Sequence, residues 1–465
     1  MDVFEVLSEK GKAMLVMGGY KFTFHKNLVN SKRWKCTRRN CKAYLKTDSD
    51  KNTVIVESMV EHNHQPDSQE GINRQVLSNL AKKMATDNLS EKPIKVIRQV
   101  IKSNGLSESV TTKDVLRTRK NLYHARSVVL PKLPKDIMEF HNLLGKLDIV
   151  TDRQEQFLMI NDSVNNIVIF SCKTNLQCLV NSEELYADGS FEYSPKFFLQ
   201  IFTIHGFKNG HYIPLVFCLL PNKLQKTYFT AYEYIKNKCQ QLFSVPLKPL
   251  RFTVDFEIAI HKAIWEAFPE TTIVGCRFHL AQAWYRKIQK LGLSGEYQMK
   301  EDERSEVGQF LHYVFGLPFL KPEDVGDCFA IDFFDFKPKH DALGKFCDYL
   351  VDNYISEDST FPPYIWAEHT SSLNRTTNAC ESFHNQFNQS FYSPHPNINQ
   401  FLQVILDFQI DTYVKINSIN TPHKIYDTKY FGKKNYLTQK LQDLSQNKIS
   451  RIEFVKSISY HYNPL

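Results

Sequence analysis

The chain has 465 residues, of which 42% are hydrophobic, and it carries ten cysteines and a net charge of +8. This length predicts two or three domains, and the hydrophobic share excludes a mainly disordered protein. The longest apolar run, Tyr212 to Leu220, is too short to span a bilayer, and the charged N-terminus does not fit a secretion signal. We therefore expect no membrane partner, and reduced cysteines in the cytosol or nucleus.

The positive charge is concentrated in the first part of the chain. Residues 1–135 contain 26 Lys and Arg against 13 Asp and Glu, whereas the remainder has a net charge of −5. A basic module joined to a mildly acidic body is typical of a protein whose N-terminal part binds a polyanion. A solvated basic surface would give the same pattern, so charge alone does not decide between these interpretations.

The first 68 residues contain short runs of β-branched and aromatic residues between turns, which predict a small β-rich domain. Residues 72–127 have apolar positions at helical spacing, with Pro93 in the first turn of one predicted helix. The two prolines of residues 128–136 predict a linker. We expect residues 72–135 to form a helical, basic accessory region that ends in this linker.

From about residue 155 the pattern alternates between strands and helices, which predicts an α/β domain over residues 155–410. Strand patterns disappear over about residues 285–370, where we expect a helical insertion. A helix is predicted at residues 376–391. Residues 411–465 are expected to form a helical, basic tail.

Two pairs of potential metal ligands lie in the β-rich domain. Cys36 and Cys41 are followed, 20 residues later, by His62 and His64. Zinc prefers four tetrahedral nitrogen or sulfur ligands, and a small domain gains much of its stability from such an ion. In an extended backbone the two histidines would point to the same side. We therefore predict a structural Zn²⁺ site.

Basic residues crowd the segment around the cysteine pair, and such a cluster could neutralise DNA phosphates and give salt-dependent affinity. The candidate DNA-binding residues are Lys32, Arg33, Lys35, Arg38, Arg39 and Lys42. A second candidate set lies in the helical region, where a solvated helix surface is nearly as good an explanation. That set consists of Lys113, Arg117, Arg119, Lys120 and Arg126. The β-rich domain could instead bind a protein.

Three carboxylates stand at suggestive places in the α/β domain. Asp188 ends one predicted strand, Asp255 ends another, and Glu381 lies on a predicted helix. Each has a plain structural explanation: Asp188-Gly189 is a favoured hairpin turn, Asp255 could cap the helix that follows, and Asn378-x-x-Glu381 fits a capping box. Taken together, two strand ends and a helix can bring three carboxylates to one point, where their oxygens would suit Mg²⁺ or Mn²⁺.

The N-terminal ligands, together with Tyr20, Phe24 and Trp34, make roughly residues 11–66 resemble the FLYWCH zinc finger. The segments ADGSF, VDFE, VGCRFH and WAEHTSSLNRTTNACESFHNQFN resemble, in the family's order, the motifs of Mutator-like element (MULE) transposases. The second resemblance covers about residues 155–410. It implies a ribonuclease-H-like core with a helical insertion, in which Asp188, Asp255 and Glu381 hold catalytic Mg²⁺ or Mn²⁺.

The C-x2-H pair Cys276 and His279 is similar to a motif that follows the second Asp in MULE and hAT transposases. It could be half of a zinc site, or a buried thiol with a hydrogen-bonded imidazole, and we prefer a supporting role beside the active site. Asn378, Glu381 and Asn385 share one face of the predicted helix, which we expect to face metals and DNA. Cys380 and three phenylalanines form another face, expected in the core.

The resemblance implies an enzyme that binds transposon ends, cuts DNA and transfers the freed strands to a target. Its expected partners are double-stranded DNA, both terminal repeats and target, and further copies of itself. No small-molecule substrate is expected, and the expected location is the nucleus. The alternative is a domesticated, transposase-derived regulator that binds DNA through the finger without catalysis.

Overall fold

A computed structural model of the chain divides into two compact units, Met1–Leu133 and Pro134–Leu465. The division falls within the predicted proline-containing linker. The structure describes residues 3–8, 11–48, 53–57, 60–89, 91–300, 303–370, 372, 377–391, 393–421 and 428–461, without the side chains of residues 378 and 428–430. Among these residues, no helix combines the length and the apolar character needed to cross a bilayer.

The first unit begins with a six-stranded antiparallel sheet whose strands follow chain order. Its strands are β1 (Phe4–Leu7), β2 (Ala13–Met17), β3 (Tyr20–Leu28), β4 (Ser31–Cys36), β5 (Tyr44–Asp48) and β6 (Val54–Glu57). Alternation along β4 buries Trp34 and Cys36, which pack with Phe22 and Leu45 in a small core. The Trp34 indole N–H donates to Thr47 Oγ1 at 3.0 Å, so its polar atom is also satisfied. This confirms the β-rich N-terminal domain.

Three helices follow in the first unit: α1 (Gln69–Asp87), α2 (Pro93–Ser103) and α3 (Thr112–Val129). Each begins where local chemistry favours it. Ser68 caps α1, Pro93 occupies the first position of α2, and Thr111 with Asp114 forms a capping box on α3. Buried apolar residues from all three helices form one core. The helical character expected for this region is therefore confirmed.

Arg126 of α3, a candidate phosphate-binding residue, is buried in the structure and does not face solvent. Arg126 is only 4% exposed, and its guanidinium donates to the carbonyl oxygens of Ala85, Asn88 and Glu91 at 3.0, 2.9 and 2.7 Å. These carbonyls lie at and beyond the end of α1, where helix geometry leaves acceptors without partners. Arg126 therefore stabilises the helical region from inside. The other four basic residues of that set are exposed: Lys113, Arg117, Arg119 and Lys120.

The second unit is built on a seven-stranded mixed sheet in the order β13-β12-β9-β10-β11-β8-β7. Its strands are β7 (Leu158–Asp162), β8 (Ile167–Phe170), β9 (Glu184–Ser190), β10 (Gln200–Lys208), β11 (His211–Leu220), β12 (Arg251–Val254) and β13 (Thr272–Gly275). β12 runs parallel to both β9 and β13, and all other pairs are antiparallel. The carboxyl ends of β9, β12 and β13 therefore meet at one edge.

Helices cover both faces of this sheet. On one face Leu185 and Phe202 pack against residues of α6 (Gln225–Phe243) and α7 (Ile258–Ala267), with α5 (Lys173–Val180) nearby. On the other face Ile201 and Phe217 pack against α13 (Asn378–Gln389) and α14 (Ile398–Ser418), with α4 (Ile137–Leu144) completing the cluster. Alternation along β9 and β10 thus directs Asp188 and Thr203 toward the α13 side.

A helical layer follows the last strand and has a hydrophobic core of its own. Its helices are α8 (Arg277–Lys290), α9 (Ser294–Gln298), α10 (Glu306–Val314), α11 (Pro322–Asp327), α12 (Asp341–Leu350), α15 (Thr428–Ser445) and α16 (Arg451–His461). Trp284, Phe310, Phe346 and Phe454 are buried together there. Helix α16 thus packs with the helices of the expected insertion, and the boundary expected at residue 410 falls inside α14.

We expect Arg126→Leu to lower the free energy of opening of α1 and α3 by about 3 kcal/mol, because three carbonyls would lose the donor that the buried guanidinium supplies. Native-state hydrogen exchange of the amides of both helices measures this change. The exposed Arg119→Leu is the matched control and should change it by less than about 0.5 kcal/mol. Equal effects of the two variants would contradict the buried role of Arg126.

Candidate metal centres

The four predicted zinc ligands come together at one end of the N-terminal sheet. Cys36 ends β4, Cys41 follows in the next turn, and the two histidines lie beyond β6. Cys36 Sγ is 3.1 Å from His64 Nε2, Cys41 Sγ is 3.3 Å from His62 Nδ1, and the two ring nitrogens are 3.3 Å apart. All four ligand atoms lie within 4.8 Å of one another. Such spacing suits the ligands of a single tetrahedral ion.

The surroundings of these ligands also suit zinc. His64 Nδ1 lies 2.9 Å from the carbonyl oxygen of Gln65, and donation of that N–H leaves Nε2 free to bind a metal. The ring of Tyr20 stacks on His62 at 3.6 Å and fixes its plane. Burial raises the pKa of the Cys36 thiol, so a thiolate there needs a nearby positive charge, which zinc supplies.

The candidate DNA-binding residues of the finger do not share one face. Lys35 is exposed, and Arg33, on the same side of β4, lies over the ring of Tyr44 at 4.1 Å. Lys32 alternates to the side of Trp34. Arg38 is exposed but forms an ion pair with Asp67 at 3.0 Å. Arg39 and Lys42 are exposed as well. The candidates best exposed for contact with DNA phosphates are therefore Lys35, Arg39 and Lys42.

None of the plain explanations for the three carboxylates holds in the structure. Asp188 lies inside β9, paired with Thr203 of β10, and is not in a turn. The N-cap of α7 is Glu257, so Asp255 does not cap that helix. Helix α13 has Thr377 as its N-cap without a side-chain cap bond, which places Glu381 one position too late for a capping box.

Glu381 and Asp255 meet at His279, near the start of α8. His279 Nδ1 is 2.6 Å from Asp255 Oδ1, and His279 Nε2 is 3.2 Å from Glu381 Oε1. Both carboxylate oxygens are buried, and both lie against the same imidazole. Two buried carboxylate oxygens around one point are hard donors of the kind that Mg²⁺ and Mn²⁺ prefer.

The pKa values of these groups reflect their crowding. Burial raises the pKa of Asp255 and of Glu381; the charge of Asp188 raises both further, and His279 lowers them. Burial lowers the pKa of His279, but the contacts with Asp255 and Cys276 outweigh it and carry that pKa to about 11. A protonated His279 therefore balances carboxylates that would otherwise repel one another.

Cys276 lies directly beneath His279, at the N-cap of α8. Its sulfur accepts hydrogen bonds from the Thr377 backbone N–H at 3.1 Å and from the Thr377 hydroxyl at 3.2 Å. This contact joins the strand-end pair to the start of α13, which carries Glu381. The supporting role expected for Cys276 and His279 therefore has a geometric basis. The side chain of Asn378, also expected to support the site, lies outside the described residues.

A buried chain of polar groups stands behind Asp188, and sequence reasoning missed it. His384 Nδ1 lies 3.0 Å from Asp188 Oδ2, and His384 Nε2 lies 2.9 Å from Thr203 Oγ1. Thr203 Oγ1 in turn lies 3.1 Å from His205 Nε2. Burial holds the pKa of His205 well below its usual range, so this ring is neutral. Because a carboxylate can only accept, His384 donates to Asp188 through Nδ1 and fixes the orientation of that carboxylate.

The polar side chains of α13 reach different neighbours. Glu381 contacts His279 of α8, His384 contacts Asp188 of β9, and the amide oxygen of Asn388 lies 3.4 Å from Ser190 Oγ. Asn385, expected on the same face as Glu381, is exposed. The expected core face is confirmed, since Cys380, Phe383, Phe387 and Phe391 are all buried. The spacing of Glu381 and His384, three residues apart, was the available signal for the missed histidine.

We expect His384→Ala to lower the free energy of unfolding of the second unit by about 1–3 kcal/mol, because the buried Asp188 carboxylate loses its donor. His384→Asn should recover part of this loss, since its amide can replace the Nδ1 donor. Urea unfolding of the full chain measures both. The exposed neighbour Asn385→Ala is the control, and an equal loss in that variant would contradict the assigned contact.

Comparison with known proteins agrees with the two parts of the chain. A model of the FLYWCH zinc finger domain matches residues 5–64. A model of the MULE transposase domain matches residues 185–283, which include Asp188, Asp255 and the Cys276–His279 pair. No curated protein matches the chain significantly. The chain thus combines an N-terminal FLYWCH zinc finger domain with a MULE transposase domain.

Proposed function

We propose that the second unit is a metal-dependent nuclease and strand transferase, acting on DNA bound through the first unit. The observation that carries the proposal is the meeting of Asp255 and Glu381 at His279, within electrostatic reach of Asp188. Asp188 is buried, whereas the side chains of Asp255 and Glu381 are 30% and 28% exposed. The carboxylate cluster is therefore open to solvent on one side, from which DNA could approach.

The topology supports a ribonuclease-H-like core. Strands β11, β10, β9, β12 and β13 are neighbours in that order, with the first three antiparallel and the last two parallel to β9. In such a core the first carboxylate lies on the central strand and the second at the end of the adjacent parallel strand. Asp188 and Asp255 occupy these positions. Helices α9 to α12 of the helical layer fall within about residues 285–370, the range of the insertion that the family resemblance implies.

Asp188, Asp255 and Glu381 are the residues that would hold Mg²⁺ or Mn²⁺, which activates the attacking hydroxyl and stabilises the leaving oxygen in phosphodiester cleavage. Each of these side chains has a neighbour that fixes it. His384 orients Asp188, and His279 lies between Asp255 and Glu381. The protein's contribution is thus a set of hard anionic oxygens whose geometry exists before DNA arrives.

The proposed partner is DNA, because the FLYWCH domain and the MULE domain both suggest DNA binding. The exposed cations of the finger and of α3 would contact phosphates, and the proposed ligands are transposon terminal repeats and target DNA. Joining two ends requires two bound copies, so we propose a homo-oligomer that works in the nucleus. The alternative, a regulator without catalysis, requires the same DNA binding and no cleavage.

We expect Asp188→Asn to reduce Mg²⁺- or Mn²⁺-dependent strand transfer more than about 100-fold, because loss of a direct ligand should exceed the 10–100-fold effect typical of an indirect one. The measurement uses labelled terminal-repeat DNA and a plasmid target. Exposed Asp352→Asn is the matched control and should leave the rate unchanged. Unchanged transfer by Asp188→Asn would overturn the assignment, and wild-type DNA binding without any cleavage would support the regulator instead.

We expect Lys35→Ala, Arg39→Ala and Lys42→Ala each to weaken DNA binding by the full chain. Each lost phosphate contact should reduce the slope of log affinity against log salt by about 0.9. Fluorescence anisotropy over a range of salt concentrations measures the slope. Lys102→Ala, an exposed lysine outside the finger, is the control. A slope that none of the finger variants alters would favour a protein-binding finger.

A further inference from the structure

A second metal-binding arrangement overlaps the carboxylate cluster. Asp255, Cys276 and His279 each offer one ligand atom, and these oxygen, sulfur and nitrogen atoms all lie within 4.8 Å of one another. They converge for a topological reason. Asp255 follows β12 and Cys276 follows β13, and these parallel strands are paired up to Val254 and Gly275. His279 lies three residues after Cys276, one turn into α8, and so faces the same way.

Two features suit this group to a metal ion. Asp255 Oδ1 is buried, and the close contact that the structure gives it, His279 Nδ1 at 2.6 Å, is with another member of the same group. Cys276 is wholly buried, yet its sulfur accepts two hydrogen bonds, both from Thr377. Donors aimed at a sulfur fix its orientation, as the outer contacts of zinc ligands do.

The donor set also selects the kind of ion. Mg²⁺ and Mn²⁺ favour carboxylate and water oxygens, whereas a thiolate with an imidazole favours zinc or another thiophilic ion. Zinc binding would displace the proton of His279 to solvent, since only the neutral imidazole binds a metal. Three protein ligands would leave the fourth tetrahedral position open, as in zinc sites that exchange water or substrate.

We propose that Asp255, Cys276 and His279 form a second zinc-binding site, separate from the finger, whose occupation inhibits DNA cleavage. Inhibition follows because Asp255 is shared: an ion held by Cys276 and His279 draws this carboxylate away from the magnesium ligand set. This consequence rests on the proposed nuclease function, whereas the binding of zinc does not. The chain would then hold two zinc ions of different purpose, one structural and one inhibitory.

The binding test measures the number of zinc ions bound per chain. The full chain is saturated with Zn²⁺, passed through gel filtration and measured by elemental mass spectrometry. We expect two ions per wild-type chain, and one each for Cys276→Ala, His279→Gln and the finger variant Cys41→Ala. The matched control is Cys380→Ala: this cysteine is equally buried beside the same carboxylates but lies outside the ligand group. It should keep both ions.

A single zinc ion in the wild-type chain, or equal counts in the wild type and Cys276→Ala, would overturn the site. Circular dichroism establishes whether each variant is folded. If Cys276→Ala fails to fold, Cd²⁺ titration of wild type and His279→Gln replaces it. The sulfur-to-cadmium absorption of wild type should correspond to three thiolates, and two would contradict the proposal.

The inhibition test is separate. Added Zn²⁺ should slow Mg²⁺-dependent cleavage by wild type and Cys380→Ala alike, and full retention of the rate in wild type would refute the inhibitory role. If the wild type binds two zinc ions but cleaves no DNA with Mg²⁺ or Mn²⁺ alone, the nuclease function fails while the zinc site stands. The two failures are therefore distinguishable.

Discussion

The parallel pairing of β12 with both β9 and β13 is the constraint on which the candidate site depends. Because the three strands run the same way, Asp188, Asp255 and Cys276 emerge at one edge, although long connections separate them in sequence. The helix that follows β13 then carries His279 back over this edge. If these strands were antiparallel, the side chains would lie at opposite ends of the sheet. Glu381 on α13 could then not join the other two carboxylates.

Burying acidic groups together is unfavourable, and the structure offsets this with imidazoles placed on the outer helices. His279 on α8 contacts Asp255, which directly follows β12, and His384 on α13 contacts Asp188 within β9. The same contacts fasten the helices to the sheet, so the electrostatics of the site and its tertiary packing cannot be separated. Phe383 and Phe387, on the neighbouring face of α13, add the apolar part of that attachment.

The sequence predicts the strands, most long helices, the zinc ligands and the three carboxylates, because each depends on local periodicity or on a recognisable motif. It could not decide between a turn at Asp188 and a strand, since that choice depends on pairing with β10. His384 was missed because its partners, Thr203 and Asp188, become neighbours only through the register of β9 and β10. Arg126 was misjudged because nothing local distinguishes a buried arginine from its exposed neighbours on α3. The helices α4 and α5, of eight residues each, are too short for their periodicity to stand out.

The position of α13 after both strand carboxylates in the chain has a consequence for synthesis. The ribosome releases the finger, then Asp188 and Asp255, and only much later the helix with Glu381 and His384; α16, which packs in the helical layer, follows that helix. Because domains emerging first fold first, a nascent chain can hold a folded finger before its carboxylate cluster exists. A product of interrupted translation would therefore carry the FLYWCH finger without the carboxylate cluster of the second unit.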